Sequence, residues 1–252
     1  MIPKKIHYCW FGGNPLNKLG QKCLESWKKH FPDYEIIEWN ESNFDINCCD
    51  YVREAYEAKK WAFVSDYARF KILYEQGGLY FDTDVEVIKP MDDIISNGSF
   101  VGCEKKSLDT KGPGINLGVA PGLALGAEAG SEIFKEMLEL YHTLHFLKDD
   151  GTCELKTIVE YTTEVLVQHG LKDTSEIQCV AGIYVYPKEY FNPIEMASNK
   201  LVIEENTRSI HHYAASWCDK ASKKRGKIYR FLNRVFGKKF ANKVRAILRR
   251  QK

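Results

Sequence analysis

Residues 65–87, SDYARFKILYEQGGLYFDTDVEV, constrain the fold of this chain more than any other segment. A helical pattern ends at Gly77-Gly78, a pair that can adopt the left-handed backbone often found after a helix C-terminus. Leu79-Tyr80-Phe81 follows as a short apolar strand, and Asp82-Thr83-Asp84 stands at its end. A helix followed by a strand that presents carboxylates at its end predicts an α/β protein.

The rest of the chain extends this α/β pattern. The first elements predicted from hydrophobic periodicity are a strand over KKIHYCWF, an amphipathic helix over Leu16–His30, a strand over Glu35–Trp39 and one long helix over Val52–Glu75. Later strands are predicted at Val85–Ile88, Ser99–Cys103, Gly118–Ala120 and Gly182–Tyr186, and later helices at Ser131–Leu147 and Leu155–His169. We expect one mixed α/β domain over residues 1–219 and a separate tail over 220–252.

The D-x-D pair at Asp82 and Asp84 is the first candidate site. Side chains two residues apart on a strand share a face, so both carboxylates can hold one divalent cation. An oxygen-rich site suits Mg²⁺ or Mn²⁺, whose open positions can take diphosphate oxygens. Glu86 lies on the same face and is a possible third acid. A solvated turn without any metal is the alternative interpretation of the pair.

Asp66 and Arg69 form a second candidate pair, since residues three apart are neighbours on a helix face. Their helix is apolar on most sides, and buried charges must be paired or used. They either form a simple ion pair or hydrogen-bond the hydroxyls of a sugar. Trp10 ends the first strand before Gly12-Gly13, where open α/β sheets bind ligands, although it could equally be a core aromatic.

Cysteine content and hydropathy exclude several protein classes. The eight cysteines contain no C-x-x-C pair, which favours reduced, packed thiols over a disulfide scaffold or a structural zinc site. No stretch approaches the roughly 20 apolar residues that span a bilayer. The N-terminus lacks a secretory pattern, so we expect a cytoplasmic protein.

Charge is distributed unevenly along the chain. The formal net charge is +2, but residues 220–252 hold 14 of the 36 basic residues and no acidic ones, which leaves 22 basic against 34 acidic residues in the body. Apolar residues recur at helical spacing in this tail. A basic amphipathic helix predicts binding to an anionic membrane surface. Docking on the acidic body and, less favoured, nucleic-acid binding are the alternatives.

Three blocks carry a resemblance to a known family: IPKKIHYCWFGG, SDYARFKILYEQGGLYFDTD and HHYAASW. They resemble the family 32 glycosyltransferases, which include capsular-polysaccharide enzymes, and more distantly the glucosylating domains of large clostridial toxins. The resemblance covers about residues 2–217. It implies a GT-A fold, with a Rossmann-like nucleotide-sugar-binding layer and a mixed central sheet flanked by helices. It also implies transfer from a nucleotide sugar with retention of anomeric configuration.

The same resemblance implies roles for individual residues. Trp10 would stack on the nucleotide base, Asp66 and Arg69 would hold donor-sugar hydroxyls, and Asn116 would lie near the transferred sugar. Asp82 would contact the ribose or a metal-bound water, and Asp84 would bind Mn²⁺ or Mg²⁺. The full donor-binding set that it implies is Trp10, Phe11, Gly12, Ser65, Asp66, Arg69, Asp82 and Trp217, and Asp82, Asp84, Asn116, Asp66 and Arg69 form the implied catalytic set.

The block HHYAASW supplies the last implied metal ligand. Adjacent residues of a strand point in opposite directions, so only one of His211 and His212 can serve, and we slightly favour His212. The partners expected are a nucleotide-sugar donor, with uracil preferred over guanine, a glycan or lipid-linked acceptor and the inner face of a membrane. A phosphatase-like hydrolase using FDTDV and a non-catalytic sugar- or membrane-binding module are the competing functions.

Overall fold

A computed structural model describes residues 1–107, 115–195 and 200–214. The expected basic tail at 220–252 and Trp217 lie outside these residues. The chain forms a seven-stranded mixed sheet in the order β2-β1-β3-β6-β5-β8-β7, with two small two-stranded sheets beside it. Helices flank the central sheet, so the mixed α/β architecture predicted from the sequence is confirmed.

The elements follow one another in a largely alternating order. The strands are β1 (Lys5–Cys9), β2 (Glu35–Trp39), β3 (Gly78–Tyr80), β4 (Val85–Val87), β5 (Phe100–Gly102), β6 (Leu125–Ala127), β7 (Gln178–Val180), β8 (Ile183–Tyr186), β9 (Ile194–Glu195), β10 (Lys200–Leu201) and β11 (Ser209–His211). The helices are α1 (Lys18–His30), α2 (Asp50–Glu57), α3 (Trp61–Gln76), α4 (Asp92–Asn97), α5 (Glu132–His142), α6 (Ile158–Gln168) and α7 (Lys188–Phe191).

Alternate side chains of the strands supply two hydrophobic cores, one on each face of the sheet. Tyr80 faces one core, with helices α2, α3, α5 and α6. Its neighbours Leu79 and Phe81 face the other, where Trp27 of α1 packs against Phe81. The indole N–H of Trp27 also donates to the carbonyl of Val85 over 2.8 Å, which ties α1 to the strand after the D-x-D pair.

The turn from α3 into β3 depends on two glycines. Gly77 and Gly78 both have positive φ, at 63° and 107°. A Cβ on Gly78 would lie 2.9 Å from the carbonyl oxygen of Lys5 on the neighbouring strand. Only glycine fits both the backbone conformation and the close approach, so the pair delivers β3 into the sheet directly after the helix.

Two sequence predictions about the elements are wrong, and one strand of the central sheet was missed. The long helix over Val52–Glu75 is two helices, α2 and α3, because Lys59 between them adopts a left-handed φ of 57° that a helix cannot contain. The strand expected at Gly118–Ala120 is an isolated bridge between Val119 and Cys103. The strand that pairs beside β3 and β5 is β6, which the sequence pattern did not reveal. None of the helices in the described ranges is long and apolar enough to span a bilayer.

Candidate metal and nucleotide-sugar site

The carboxyl ends of several strands meet at one edge of the sheet. β1 runs parallel to β2 and β3, and β5 runs parallel to β8. Because β6 is antiparallel to both β3 and β5, the strands β1, β3, β5 and β8 all point the same way. Trp10, Asp82 and Glu104 therefore stand at the same edge, the one where α/β sheets bind ligands.

Asp82, Asp84 and His211 form a compact group of potential ligands at this edge. One ligand atom from each residue lies within 4.8 Å of the others. His211 Nε2 is 3.1 Å from Asp84 Oδ1 and 3.8 Å from Asp82 Oδ2. Two carboxylates and one imidazole are a donor set that Mn²⁺ accepts readily and that Mg²⁺ tolerates through its oxygen ligands. The residues present therefore fit the divalent cation that the D-x-D pattern predicts.

β-pairing far along the chain brings His211 to the carboxylates. β11 pairs antiparallel with β4, with His211 opposite Val85. Beyond the strand, the N–H of His212 donates to the carbonyl of Asp84 over 3.0 Å, and the N–H of Ala214 donates to Asp84 Oδ2 over 2.7 Å. The backbone N–H groups of His212 and Ala214 thus attach residues 209–214 to both the carbonyl and the carboxylate of Asp84.

The preference for His212 as the ligand is corrected by this geometry. His212 Nε2 lies 2.8 Å from Glu86 Oε2, and Lys22 of α1 binds the same oxygen over 2.7 Å. His212 therefore faces away from the D-x-D group while His211 faces it, as alternation along the chain requires. Glu86, expected as a possible third acid, belongs to this second cluster and not to the group around Asp84.

The charges of the group are strongly coupled. Burial alone would lower the pKa of His211, but its contacts with Asp82 and Asp84 outweigh burial and raise the pKa to about 9. Burial tends to raise the pKa of Asp84, yet His211 and the Ala214 N–H bring it below its usual range. Without a metal, protonated His211 itself balances the two carboxylates. A bound cation would take over that role and require neutral His211.

Arg69 connects the group to the buried helix α3. Its Nη2 lies 3.0 Å from Asp66 Oδ1 and 3.3 Å from Asp82 Oδ1, and both Arg69 and Asp66 are buried. The hydroxyl of Tyr80 also donates to Asp82 Oδ1 over 3.2 Å, and the guanidinium lies 4.9 Å from the Tyr80 ring centroid. The predicted Asp66–Arg69 pair exists, and Arg69 additionally fixes Asp82.

The carboxylate of Asp66 has a strongly raised pKa. Burial raises its pKa to about 7, the Arg69 charge opposes the shift and the Asp82 charge adds to it. The pKa of Arg69 is raised above its usual range because the carboxylates and Tyr80 outweigh the effect of its burial. A partly protonated carboxyl next to a permanent cation can both donate to and accept from hydroxyl groups.

The residues after β1 form a separate part of the edge. Trp10 is half-buried, and its indole N–H donates to the carbonyl of Asn14 over 2.6 Å. Phe11 is buried against Phe44 and serves the core. Gly12 has a φ of 95°, and its N–H donates to Glu41 Oε1 over 2.6 Å.

Trp61, at the start of α3, is a neighbour of this segment that sequence reasoning missed. A Cβ on Gly12 would lie 2.6 Å from Trp61 Nε1, so the indole covers this glycine. Ser65 donates to the carbonyl of Trp61 over 3.0 Å within α3. The structure thus adds Trp61, which lies against Gly12, to the aromatic residues expected in the segment after β1.

Other residues at the edge were also missed by sequence reasoning. The ring of Tyr213 packs on His211 with centroids 4.2 Å apart, and Asn192 donates to the Tyr213 hydroxyl over 2.6 Å. Asn192 also donates to the backbone carbonyl of Glu104. Tyr213 follows directly after the histidine pair, which was the one available signal. Asn116 donates to the carbonyl of Lys106 and does not belong to the Asp82, Asp84 and His211 group.

Comparisons with known proteins give both sequence relatives and similar solved structures. The first is a 30% identical match over 111 residues to inositol phosphoceramide mannosyltransferase 1 of Schizosaccharomyces pombe (strain 972 / ATCC 24843), over 40% of this chain and 33% of the relative. An uncharacterized glycosyltransferase of Acanthamoeba polyphaga mimivirus is 27% identical over 76% of both chains. The chain thus spans about a third of the first of these relatives. Among solved structures, PaToxG glycosyltransferase has a TM-score of 0.48 at 17% identity over 66% of this chain and 69% of that one.

These findings show that the chain is similar to glycosyltransferases. Residues 18–101 match the family described as glycosyltransferase sugar-binding region containing DXD motif. The matched region contains Asp66, Arg69, Asp82 and Asp84, and His211 lies outside it. The family resemblance recognised from the three sequence blocks is confirmed.

Proposed function

We propose that the protein is a retaining hexosyltransferase. It takes a hexose from a nucleotide-sugar donor, preferably a UDP-sugar rather than GDP-mannose, and transfers it to a glycan or lipid-linked acceptor of a capsule or other surface glycan. The observation that supports this most is the group of Asp82, Asp84 and His211 at the carboxyl edge of the sheet. The preference for uracil rests on the resemblance to capsule-type and toxin transferases.

The side chains of the site have complementary tasks in this proposal. A divalent cation held by Asp82, Asp84 and His211 would supply positive charge against the charge that develops on the leaving diphosphate. Arg69, fixed between Asp66 and Asp82, keeps the Asp82 carboxylate in place. Asp66 and Arg69 hold hydroxyls of the donor sugar, and Trp10 covers the base.

We infer a front-face displacement as the chemical step. The acceptor oxygen forms a bond to the anomeric carbon while the bond from that carbon to the diphosphate oxygen breaks on the same face. The departing phosphate accepts the proton of the acceptor hydroxyl. Asp82 and Asp84 are committed to His211, Arg69 and Tyr80 rather than positioned as a free nucleophile.

Calorimetric titration with UDP and with GDP, each with and without Mn²⁺, tests the donor half of this function. We expect Mn²⁺-dependent binding of one nucleotide, UDP by preference, and its loss in Asp84→Asn. Asp149→Asn, a change of the same chemistry at an exposed loop position, is the matched control and should bind as the parent does. Binding of neither nucleotide by the folded parent would favour the hydrolase or the binding module instead.

We also propose that the enzyme works at the inner face of a membrane, anchored by residues 220–252. The charge count of this tail supports the proposal. Flotation with anionic vesicles should be lost when residues 220–252 are removed. Equal flotation of the full-length and shortened proteins would show that the tail is not the anchor.

A further inference from the structure

A pocket of about 260 Å³ lies at the carboxyl ends of β5 and β8, outside the group around Asp84. Residues that follow these two strands form much of its wall. The charged and hydroxyl-bearing residues that line it include Lys105, Lys106, Thr174, Lys188, Glu189 and Glu204. None of them belongs to the site already described.

The position of the pocket along the sheet suggests which substrate it serves. The strand order runs β1-β3-β6-β5-β8, and neighbouring strands lie about 4.8 Å apart. The pocket therefore lies about 10–15 Å from the end of β3 that carries Asp82, on the side away from Trp10. If the donor base lies over β1 and the diphosphate at β3, the pocket stands on the acceptor side of the reaction.

The charge of Lys188 points to an anionic ligand. Lys188 is only 8% exposed, and its ammonium donates to the carbonyls of Asn192 and Ile194. Within the described part of the chain, neither Lys188 nor Lys106 has a carboxylate within ion-pair distance. Burial lowers the pKa of Lys188 and the Lys106 charge lowers it further, while the more weakly acting carboxylates of Glu195, Glu189 and Glu104 raise it. The net shift is downward, and an anion between the two lysines would offset both the burial of Lys188 and its repulsion by Lys106.

The same pocket also offers acceptors for hydroxyl groups. Glu189 and Glu204 contribute carboxylates to its wall, and Thr174 contributes a hydroxyl. Carboxylates accept hydrogen bonds but repel a phosphate, so they would face the neutral part of a ligand. Lysines at one place and carboxylates at another suit a molecule that carries a phosphate together with hydroxyl groups.

We propose that this pocket is an acceptor subsite that binds a phosphate carried by the acceptor, with Lys106 and Lys188 as the phosphate ligands. The inference rests on the proposed transferase function and adds to it the chemical class of the acceptor. The phosphate can belong to a sugar phosphate or to a lipid-linked glycan, and both share this recognition chemistry. Hydroxyls next to the phosphate would be held by Glu189 and Glu204.

Calorimetry with the full-length protein in EDTA tests the subsite without any contribution from a bound metal. The probes are glucose 1-phosphate, glucose and dihexanoyl phosphatidic acid, a soluble lipid phosphate. We expect a phosphate-bearing probe to bind the parent, and Lys106→Gln to weaken it at least about tenfold, which is about 1.4 kcal/mol. Lys28→Gln, an exposed lysine on α1, is the matched control and should leave binding unchanged.

The outcomes separate the two possible sources of phosphate. Lys106-dependent binding of glucose 1-phosphate supports a sugar-phosphate acceptor, and Lys106-dependent binding of only the lipid phosphate supports a lipid-linked one. Lys188→Met should weaken binding as well. Because Lys106 is exposed, Lys106→Gln still decides the test if Lys188→Met fails to fold. Equal affinities of the parent and Lys106→Gln, or no binding of either phosphate, would overturn the proposal.

A second titration keeps this proposal separate from the donor site. Lys106→Gln should bind UDP with Mn²⁺ as tightly as the parent, because Lys106 does not belong to the Asp82, Asp84 and His211 group. If the parent does not bind UDP with Mn²⁺ but its phosphate binding depends on Lys106, the donor proposal fails and the phosphate pocket stands. If Lys106→Gln impairs UDP binding to the same degree, the pocket is no separate subsite.

Discussion

Gly122 offers the sharpest test of the metal site proposed at Asp82, Asp84 and His211, because its α-carbon leaves almost no space beside Asp82. Its carbonyl accepts the N–H of Asp82 over 3.1 Å, and a Cβ at this position would lie 2.1 Å from Asp82 Oδ2. Ordinary contact begins near 3.4 Å, so in Gly122→Ala the carboxylate oxygen must move by about 1.3 Å. Ligand positions in a metal site are held within about 0.2 Å. The displacement is several times that tolerance.

We therefore expect Gly122→Ala to weaken Mn²⁺-dependent nucleotide binding by about 10- to 100-fold, the range seen when the support of a metal ligand is removed. The free energy of unfolding should fall by about 1–3 kcal/mol, as in other overpacked sites. Calorimetry measures the first effect and urea unfolding the second. The backbone of Gly122 does not require positive φ, so the alanine acts through its methyl group.

A double-mutant cycle isolates the clash. In an Asp82→Ala background the methyl group no longer meets the carboxylate, so Gly122→Ala should cost less than about 0.5 kcal/mol there. Parent-like nucleotide binding in Gly122→Ala would refute the role of Asp82 in the metal group. An equal loss of stability with and without Asp82 would show that the crowding involves other atoms, such as Arg69 Nη1 at 3.0 Å from the added Cβ.

Three further perturbations test other parts of the structure. Burial lowers the pKa of His7 from 6.5 to about 4, so its neutral form stabilises the fold above pH 6.5 and this contribution, about 3 kcal/mol, is lost as the pH falls to 4. The raised pKa of Asp66 changes stability in the opposite direction over the same pH range, so the free energies of unfolding in urea of the parent and His7→Gln should be compared, because the Asp66 effect cancels in their difference. A difference that does not change with pH would refute the prediction. Glu86→Gln releases Lys22 and His212 and should weaken Mn²⁺-dependent nucleotide binding about tenfold, while the exposed Glu25→Gln should not. Asp66→Asn should reduce transfer and donor-sugar hydrolysis more than UDP binding, since its partner Arg69 keeps its contact with Asp82, and equal losses of both would contradict a role in holding the sugar.

Local sequence was sufficient for the first four strands of the fold. β2 has the predicted bounds, and β1, β3 and β4 differ by a few residues at most, because each alternates or is uniformly apolar between clear breaks. The break between α2 and α3 was not predictable, since Lys59 takes its left-handed conformation without a glycine to mark it. β6 has only three small or aliphatic residues, LGA, and owes its strand conformation to the partners on both sides.

The site was predictable where its residues are close in sequence. Asp66, Arg69, Asp82 and Asp84 fall within one motif, and the structure brings all four together. The choice between His211 and His212 was not predictable, because it depends on the register of β11 against β4. That register is a long-range contact that no local periodicity encodes. The pocket lined by Lys106 and Lys188 likewise forms only when β5 and β8 pair.

The pairing of β11 with β4 has a consequence for how the enzyme is made. A ribosome adds about 5–20 residues per second, so His211 is synthesised about 6–25 s after Asp84. During that interval the nascent chain can fold its first strands and helices but holds only two of the three proposed metal ligands. The segment that supplies His211 also fastens Asp84 through the N–H groups of His212 and Ala214. If Asp82, Asp84 and His211 hold the metal as proposed, the protein passes through early synthesis without a complete metal site, and metal-dependent donor binding arises only when the late segment docks.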